Sequence, residues 1–166
     1  MKLWFDTEFF DDGYTIDLIS IAVVAEDGRE YYAASSEFKH DRATQWIHEN
    51  VLQLLGDVSS HSRSHIRDDL HQFFEFSDPS GQFCPQPEFW ADCGEYDWIV
   101  LRQLFGDLTA WPSDWPKFAM DIEQWRVQLG APHFKPQDLN QHNALADARY
   151  TRSCWQELVR FSTTTM

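Results

Sequence analysis

The spacing of apolar residues changes character several times along the chain. Lys2–Asp6 and the β-branched run Ile16, Ile19, Ile21, Val23 and Val24 within Thr15–Ala25 suit strands, where alternate side chains share a face. Asp27-Gly28 tolerates the positive φ angles of a tight hairpin and leads into a third strand, Arg29–Ala34. A helical period then takes over. Ala43, Trp46, Ile47, Val51, Leu54 and Leu55 keep it over Asp41–Leu55, and Ile66, Leu70, Phe73 and Phe74 keep it over Arg63–Phe76. The polar, proline-containing stretch Ser77–Pro87 interrupts the pattern and predicts a loop.

Glu88–Asp92 reads as a short strand, followed by a helix from about Glu95 that carries Tyr96, Ile99, Val100, Leu104 and Phe105 and stops at Gly106. Lys117–Met120 fits a fifth strand and Asp121–Leu129 a helix ended by Gly130. After the proline-rich loop Ala131–Pro136, a long helix is predicted from roughly Asn143 to Phe161. No repeat or linker divides the chain. The order predicts an α/β fold over residues 1–166 as one domain: a mixed five-stranded sheet, its three N-terminal strands antiparallel, flanked by helices.

Composition supports a packed core. Of 166 residues, 43% are apolar, with 8 Trp and 13 Phe, which excludes a disordered chain. The N-terminus lacks a charged-then-apolar leader and no apolar run could span a bilayer, so a soluble cytoplasmic protein with no membrane partner is expected. Cys84, Cys93 and Cys154 are odd in number and irregularly spaced, which suits reduced thiols. The net charge of −14, with 13 scattered Lys and Arg, argues against a long basic groove for nucleic acid. It allows a site for a few terminal nucleotides, because surface charges beyond ~10 Å are largely screened.

Three acidic constellations carry candidate chemistry. In Asp6-Thr7-Glu8, residues two apart on a strand project both carboxylates from one face, as hard divalent cations require; alone, the pattern also fits a solvated strand end. Asp97 falls in the first turn of the helix after the fourth strand, where a carboxylate also interacts well with the helix dipole. Asp92, five residues earlier, competes for the same role; Asp97 is preferred because Gly94 and Tyr96 frame it at the strand-to-helix junction. His142 and Asp147 are separated by five residues, roughly 140° on a regular helix, so they do not share a helix face. A His just ahead of the helix could lean over a site that Asp147 enters from its first turns.

FDTEFF, GEYDWIVL and HNALADAR, in that order, resemble the three motifs of the DEDD exonucleases, which have a ribonuclease H-like fold. His142 stands five residues before Asp147, as in the DEDDh members; the DEDDy members have Tyr four before, where this chain has Asn143. The opening FDTEFF…DGYTIDLISIAVVAEDGREYYA is similar to the small bacterial RNase AS exoribonucleases, which prefer adenylate-containing RNA. The likeness covers nearly the whole chain and is looser between residues 56 and 88.

What the resemblance implies is metal-dependent 3′→5′ hydrolysis of single-stranded RNA, at short or adenylate-rich 3′ ends, with a nucleoside monophosphate as product. Two Mg²⁺ or Mn²⁺ ions would be held by Asp6, Glu8, Asp97 and Asp147, stabilising the attacking and leaving oxygens. His142 would act as general base. Thr7, Phe9, Phe10 and Trp98 are the expected substrate contacts, the aromatic rings by stacking, although core positions suit these rings equally. Related enzymes are often homodimers. The readings weighed against this one are a DNA-directed exonuclease with the same five residues, a catalytically silent nuclease-fold module, and a ribonuclease H-like endonuclease, which would lack the H-x-x-x-x-D spacing. His61 and His65 lack the Glu of a zinc-protease motif, Cys84 and Cys93 lack paired zinc-ligand spacing, and no phosphate-binding glycine loop is present.

Overall fold

Leu3 and Phe5 bury one way and Trp4 the other, so both faces of the opening strand are covered. In the computed structural model, which describes residues 1–75, 86–137 and 141–165, this strand is β1 (Lys2–Asp11). It pairs antiparallel with β2 (Ile16–Ala25), which pairs antiparallel with β3 (Glu30–Ser35). The expected three-stranded antiparallel start is present. β1 is longer than the apolar pattern suggested because it runs on through its acidic residues.

The sheet has six strands rather than the expected five, in the order β4-β3-β2-β1-β5-β6. The additional β4 (Ser60–His61) is two polar residues held parallel to β3, with no periodic signal to reveal it. β5 (Glu88–Ala91) lies parallel to β1, and β6 (Met120–Asp121) parallel to β5. The predicted Lys117–Met120 strand contracts to β6, because Asp121 pairs in the sheet and also caps α4 (Ile122–Leu129), its Oδ1 accepting the Gln124 N–H at 2.7 Å. The single predicted helix over Asp41–Leu55 is instead three short pieces: 3-10 turns at His40–Arg42 and Leu52–Leu54 around α1 (Gln45–Asn50), which starts at the Thr44 cap.

Helices cover both faces. α2 (Arg63–Phe74) and α3 (Glu95–Leu104) close the core around Leu3, Phe5, Ile21 and Val23. α4 and α5 (Ala144–Thr165) close the other, around Trp4, Ala22, Val24 and Trp90. α5 extends four residues beyond the predicted Phe161. Among the described residues, no helix is long and apolar enough to cross a membrane. The loop expected over Ser77–Pro87 falls outside the described residues except for Gln86 and Pro87, as do Phe76 and Cys84. Cys93 is exposed and Cys154 buried, each as a free thiol.

Two features of this fold position the site. β5 accompanies β1 only through Lys2–Trp4, so further along β1 the edge on that side has no strand beside it. The turn from β5 into α3 is tight enough to bring α3 against that edge. Gly94 makes it possible: a Cβ there would lie 2.3 Å from the Ala91 Cβ. Gly94→Ala is expected to destabilise the protein by about 1–3 kcal/mol through overpacking, seen as a lower urea midpoint with an unchanged slope. A midpoint equal to that of the unmodified protein would mean the turn yields freely.

Candidate active site

Asp6 and Glu8 project from one face of β1, and Asp147 enters from the first turn of α5. One carboxylate oxygen from each lies within 4.8 Å of the others, the single cation-capable group of three such residues among those described. Hard oxygen donors at this separation suit a divalent cation such as Mg²⁺ or Mn²⁺.

Asp97 stands beside this trio rather than in it. On the open edge of β1, the Thr7 N–H and hydroxyl both donate to Asp97 Oδ1, at 2.9 and 2.5 Å. A backbone donor left unpaired by the end of β5 thus fixes the α3 carboxylate. The sequence set Asp92 against Asp97; the fold brings both near. Asp92 lines a cleft of about 330 Å³ together with Asp6, Gln137, His142 and Asp147.

The electrostatics of this grouping are unfavourable without cations. Asp6 is held well above the usual carboxylate range, first by burial, then by Asp97, Glu8, Asp147 and Asp92. Burial, followed by Asp147 and Asp97, pushes Glu8 up to about 8. Asp97 is raised to about 6 by burial against the opposing Thr7 hydrogen bonds. Asp147 is also raised by burial, opposed by the bonds it accepts, and Asp92 by burial, Glu123 and Asp121. Bound divalent charge would offset what these neighbours impose.

His142 sits two residues before α5 with φ 67°, in the left-handed region. Its N–H donates to Asp147 Oδ2 at 2.9 Å, and Gln137 Nε2 donates to Asp147 Oδ1 at 2.7 Å, so both oxygens are oriented. Asn143 begins the helix: its Oδ1 accepts the Ala146 N–H at 3.1 Å, while its amide donates to Tyr32 Oη and the Leu54 carbonyl at 3.0 and 2.8 Å. The general-base candidate therefore rides on a segment tied to β3 and to the turn after α1. Its ring meets the edge of Trp46 from α1, with centroids 4.9 Å apart at 76°.

The candidate substrate contacts fall in different surroundings. Thr7 is buried, with its hydroxyl committed to Asp97. Phe10 lies in a core cluster with Ile19, Phe38, Ile47 and Val51, so the core reading describes its surroundings. Phe9 is half-buried and stacks on the half-exposed Tyr96, centroids 5.6 Å apart at 12°. Trp98 packs against Phe5, Phe89 and Trp111. Sequence reasoning missed Gln137, which belongs to no motif, and gave Trp46 only as an apolar position at helical spacing, whereas the residue is 52% exposed with its ring against His142.

A family model described as "3′-5′ exoribonuclease Rv2179c-like domain" matches residues 1–159. The chain is similar to the 3′-5′ exoribonuclease Rv2179c of Mycobacterium tuberculosis (strain ATCC 25618 / H37Rv), with 43% identity over 152 residues, spanning 90% of this chain and 88% of that protein. The 3′-5′ exoribonuclease MT2234.1 of M. tuberculosis (strain CDC 1551 / Oshkosh) matches with the same identity and coverage.

Proposed function

The chain belongs to the family of 3′-5′ exoribonuclease Rv2179c-like domains, and from that premise we propose that it is a metal-dependent exoribonuclease removing nucleotides from the 3′ end of single-stranded RNA. The observation that carries the reading is the convergence of Asp6, Glu8 and Asp147 oxygens within 4.8 Å, with His142 lining the same cleft. Asp6, Glu8 and Asp147 would hold cation, with Asp97 completing the set from the β1 edge. Divalent cations, Mg²⁺ or Mn²⁺ and two per site in this reading, would supply charge neutralisation at the reacting phosphate.

His142 accepts a proton from the attacking water. The water oxygen bonds to the terminal phosphorus, the bond to the 3′ oxygen of the preceding nucleotide breaks, and that oxygen takes a proton from solvent to become the new 3′ hydroxyl. A nucleoside monophosphate and an RNA one residue shorter are released. Gln137 and the His142 N–H keep Asp147 in one orientation throughout. A ribonuclease H-like arrangement of the domain, a preference for short or adenylate-rich ends, a cytoplasmic setting and a homodimer belong to the same proposal. The ribonuclease H-like arrangement is supported by the antiparallel β1–β3 start and by α5 lying against the sheet.

The test is digestion of 5′-labelled oligo(A) RNA and the matching DNA, with Mg²⁺ or Mn²⁺ and with EDTA. A ladder shortening from the 3′ end of RNA, absent in EDTA, is expected. An equally strong ladder on DNA would overturn the RNA preference, and no ladder on either would overturn the catalytic reading.

A further inference from the structure

Alternation along β1 puts Phe10 on the face of Asp6 and Glu8, roughly 7 Å beyond Glu8 at about 3.4 Å per residue. The Arg42 guanidinium lies over the Phe10 ring, 4.7 Å from its centroid. Four residues later, Trp46 meets the ring of His142. The segment from Arg42 to Trp46 therefore forms a wall from the end of β1 to the candidate general base.

A second arginine joins the first at the end of this wall. Arg42 Nη1 bonds Asp17 Oδ2 at 3.4 Å, and Arg63 Nη2 pairs with the other oxygen of the same carboxylate. The Asp17 side chain is 13% exposed, and each arginine side chain that pairs with it is 36% exposed. Arg42 also bonds Asp12 and the Thr15 hydroxyl, both at 3.1 Å, and Arg63 bonds the Ser35 hydroxyl at 3.4 Å. Neither uses all five N–H donors of a guanidinium.

We propose that Arg42 and Arg63 form a clamp for a backbone phosphate of the RNA on the 5′ side of the scissile bond. Guanidinium groups bind phosphate oxygens in a fork geometry. The shared Asp17 fixes both groups in advance, and the Arg42–Trp46 wall links them to the reacting end. Local cations of this kind give an acidic protein a hold on a polyanion that its overall charge denies it. The clamp rests on the exoribonuclease reading and adds a dependence on substrate length: a dinucleotide with a free 5′ hydroxyl, the form of diadenylate to be tested, has no phosphate 5′ to the bond that is cut, whereas an octamer has several.

The test compares kcat/KM on diadenylate and octa-adenylate RNA for the wild type, Arg42→Gln and Arg63→Gln across a salt series. Each variant is expected to lose roughly tenfold on the octamer, the value of one charge-assisted hydrogen bond, and to stay within about twofold of wild type on the dinucleotide. The salt dependence on the octamer should flatten by about 0.7 in log–log slope for each arginine–phosphate ion pair removed. Arg42→Lys, which keeps the charge and supports the same packing, should recover part of the octamer activity. Equal losses on both substrates, or none on the octamer, overturn the clamp while leaving the enzyme reading intact. A wild type that cleaves neither RNA overturns the enzyme reading and the clamp with it.

Discussion

Asp6→Asn is expected to abolish RNA hydrolysis, by about a thousandfold or more, while making the cation-free protein more stable. The first effect follows from removing a central carboxylate of the trio, since bound cations contribute several kcal/mol to such reactions. The second follows from repulsion: Asp97, Glu8, Asp147 and Asp92 all act against an ionised Asp6. A carboxylate raised above its unfolded value binds more protons when folded, so its contribution to stability falls as pH rises. The window here opens near the unfolded carboxylate values of about 4 and closes at the folded values, about 6 for Asp97 and about 8 for Glu8. In EDTA the wild type should melt progressively lower from pH 5 to 8.5, and Asp6→Asn should flatten that fall. Mn²⁺ at about a hundred times its dissociation constant should add about 2.7 kcal/mol to the wild type at pH 8, roughly 5–10 °C in a domain of this size. The variant should lose that gain. Calorimetry decides: an Asp6→Asn protein that melts lower than wild type in EDTA at pH 8, or keeps the full Mn²⁺ response, would sink this account.

His142→Ala is expected to lose about 10²–10⁴-fold in kcat, the usual contribution of a general base, while keeping the Mn²⁺-induced rise in melting temperature. The separation is possible because the bond from residue 142 to Asp147 is made by the backbone N–H, which alanine retains. His142→Asn is the companion variant, since Asn tolerates the left-handed conformation better than Ala. If both variants turn over at the wild-type rate, the imidazole takes no proton in the slow step. If both lose the Mn²⁺ response, its role is in holding the site rather than in proton transfer.

Much of this arrangement was legible in the residues themselves. The β-branched runs and Asp27-Gly28 announce β1 to β3, and the two-residue period places Asp6 and Glu8 on one face. The H-x-x-x-x-D spacing places His142 ahead of α5, because five residues cannot share a helical face. β4 was not legible, because its two residues are too few for any period to register, and β6 was anticipated only as the longer strand Lys117–Met120. α1 is short because the Thr44 cap and the turns around it fix it locally, although its apolar spacing reads as one continuous helix. Gln137 and Trp46 reach the site through tertiary proximity, ten residues before Asp147 in a loop and on α1 respectively. Burial of Phe10 depends on a cluster assembled from residues up to Val51.

The left-handed backbone at His142 bears on how this protein would respond to selection. A β-carbon in that conformation costs roughly 1–2 kcal/mol, which glycine would recover. A screen for heat resistance alone would therefore favour His142→Gly and yield hardier proteins without the imidazole at the cleft. In the proposed mechanism stability and turnover make opposed demands on this one residue, so any thermostabilised library needs an RNA-cleavage readout at position 142.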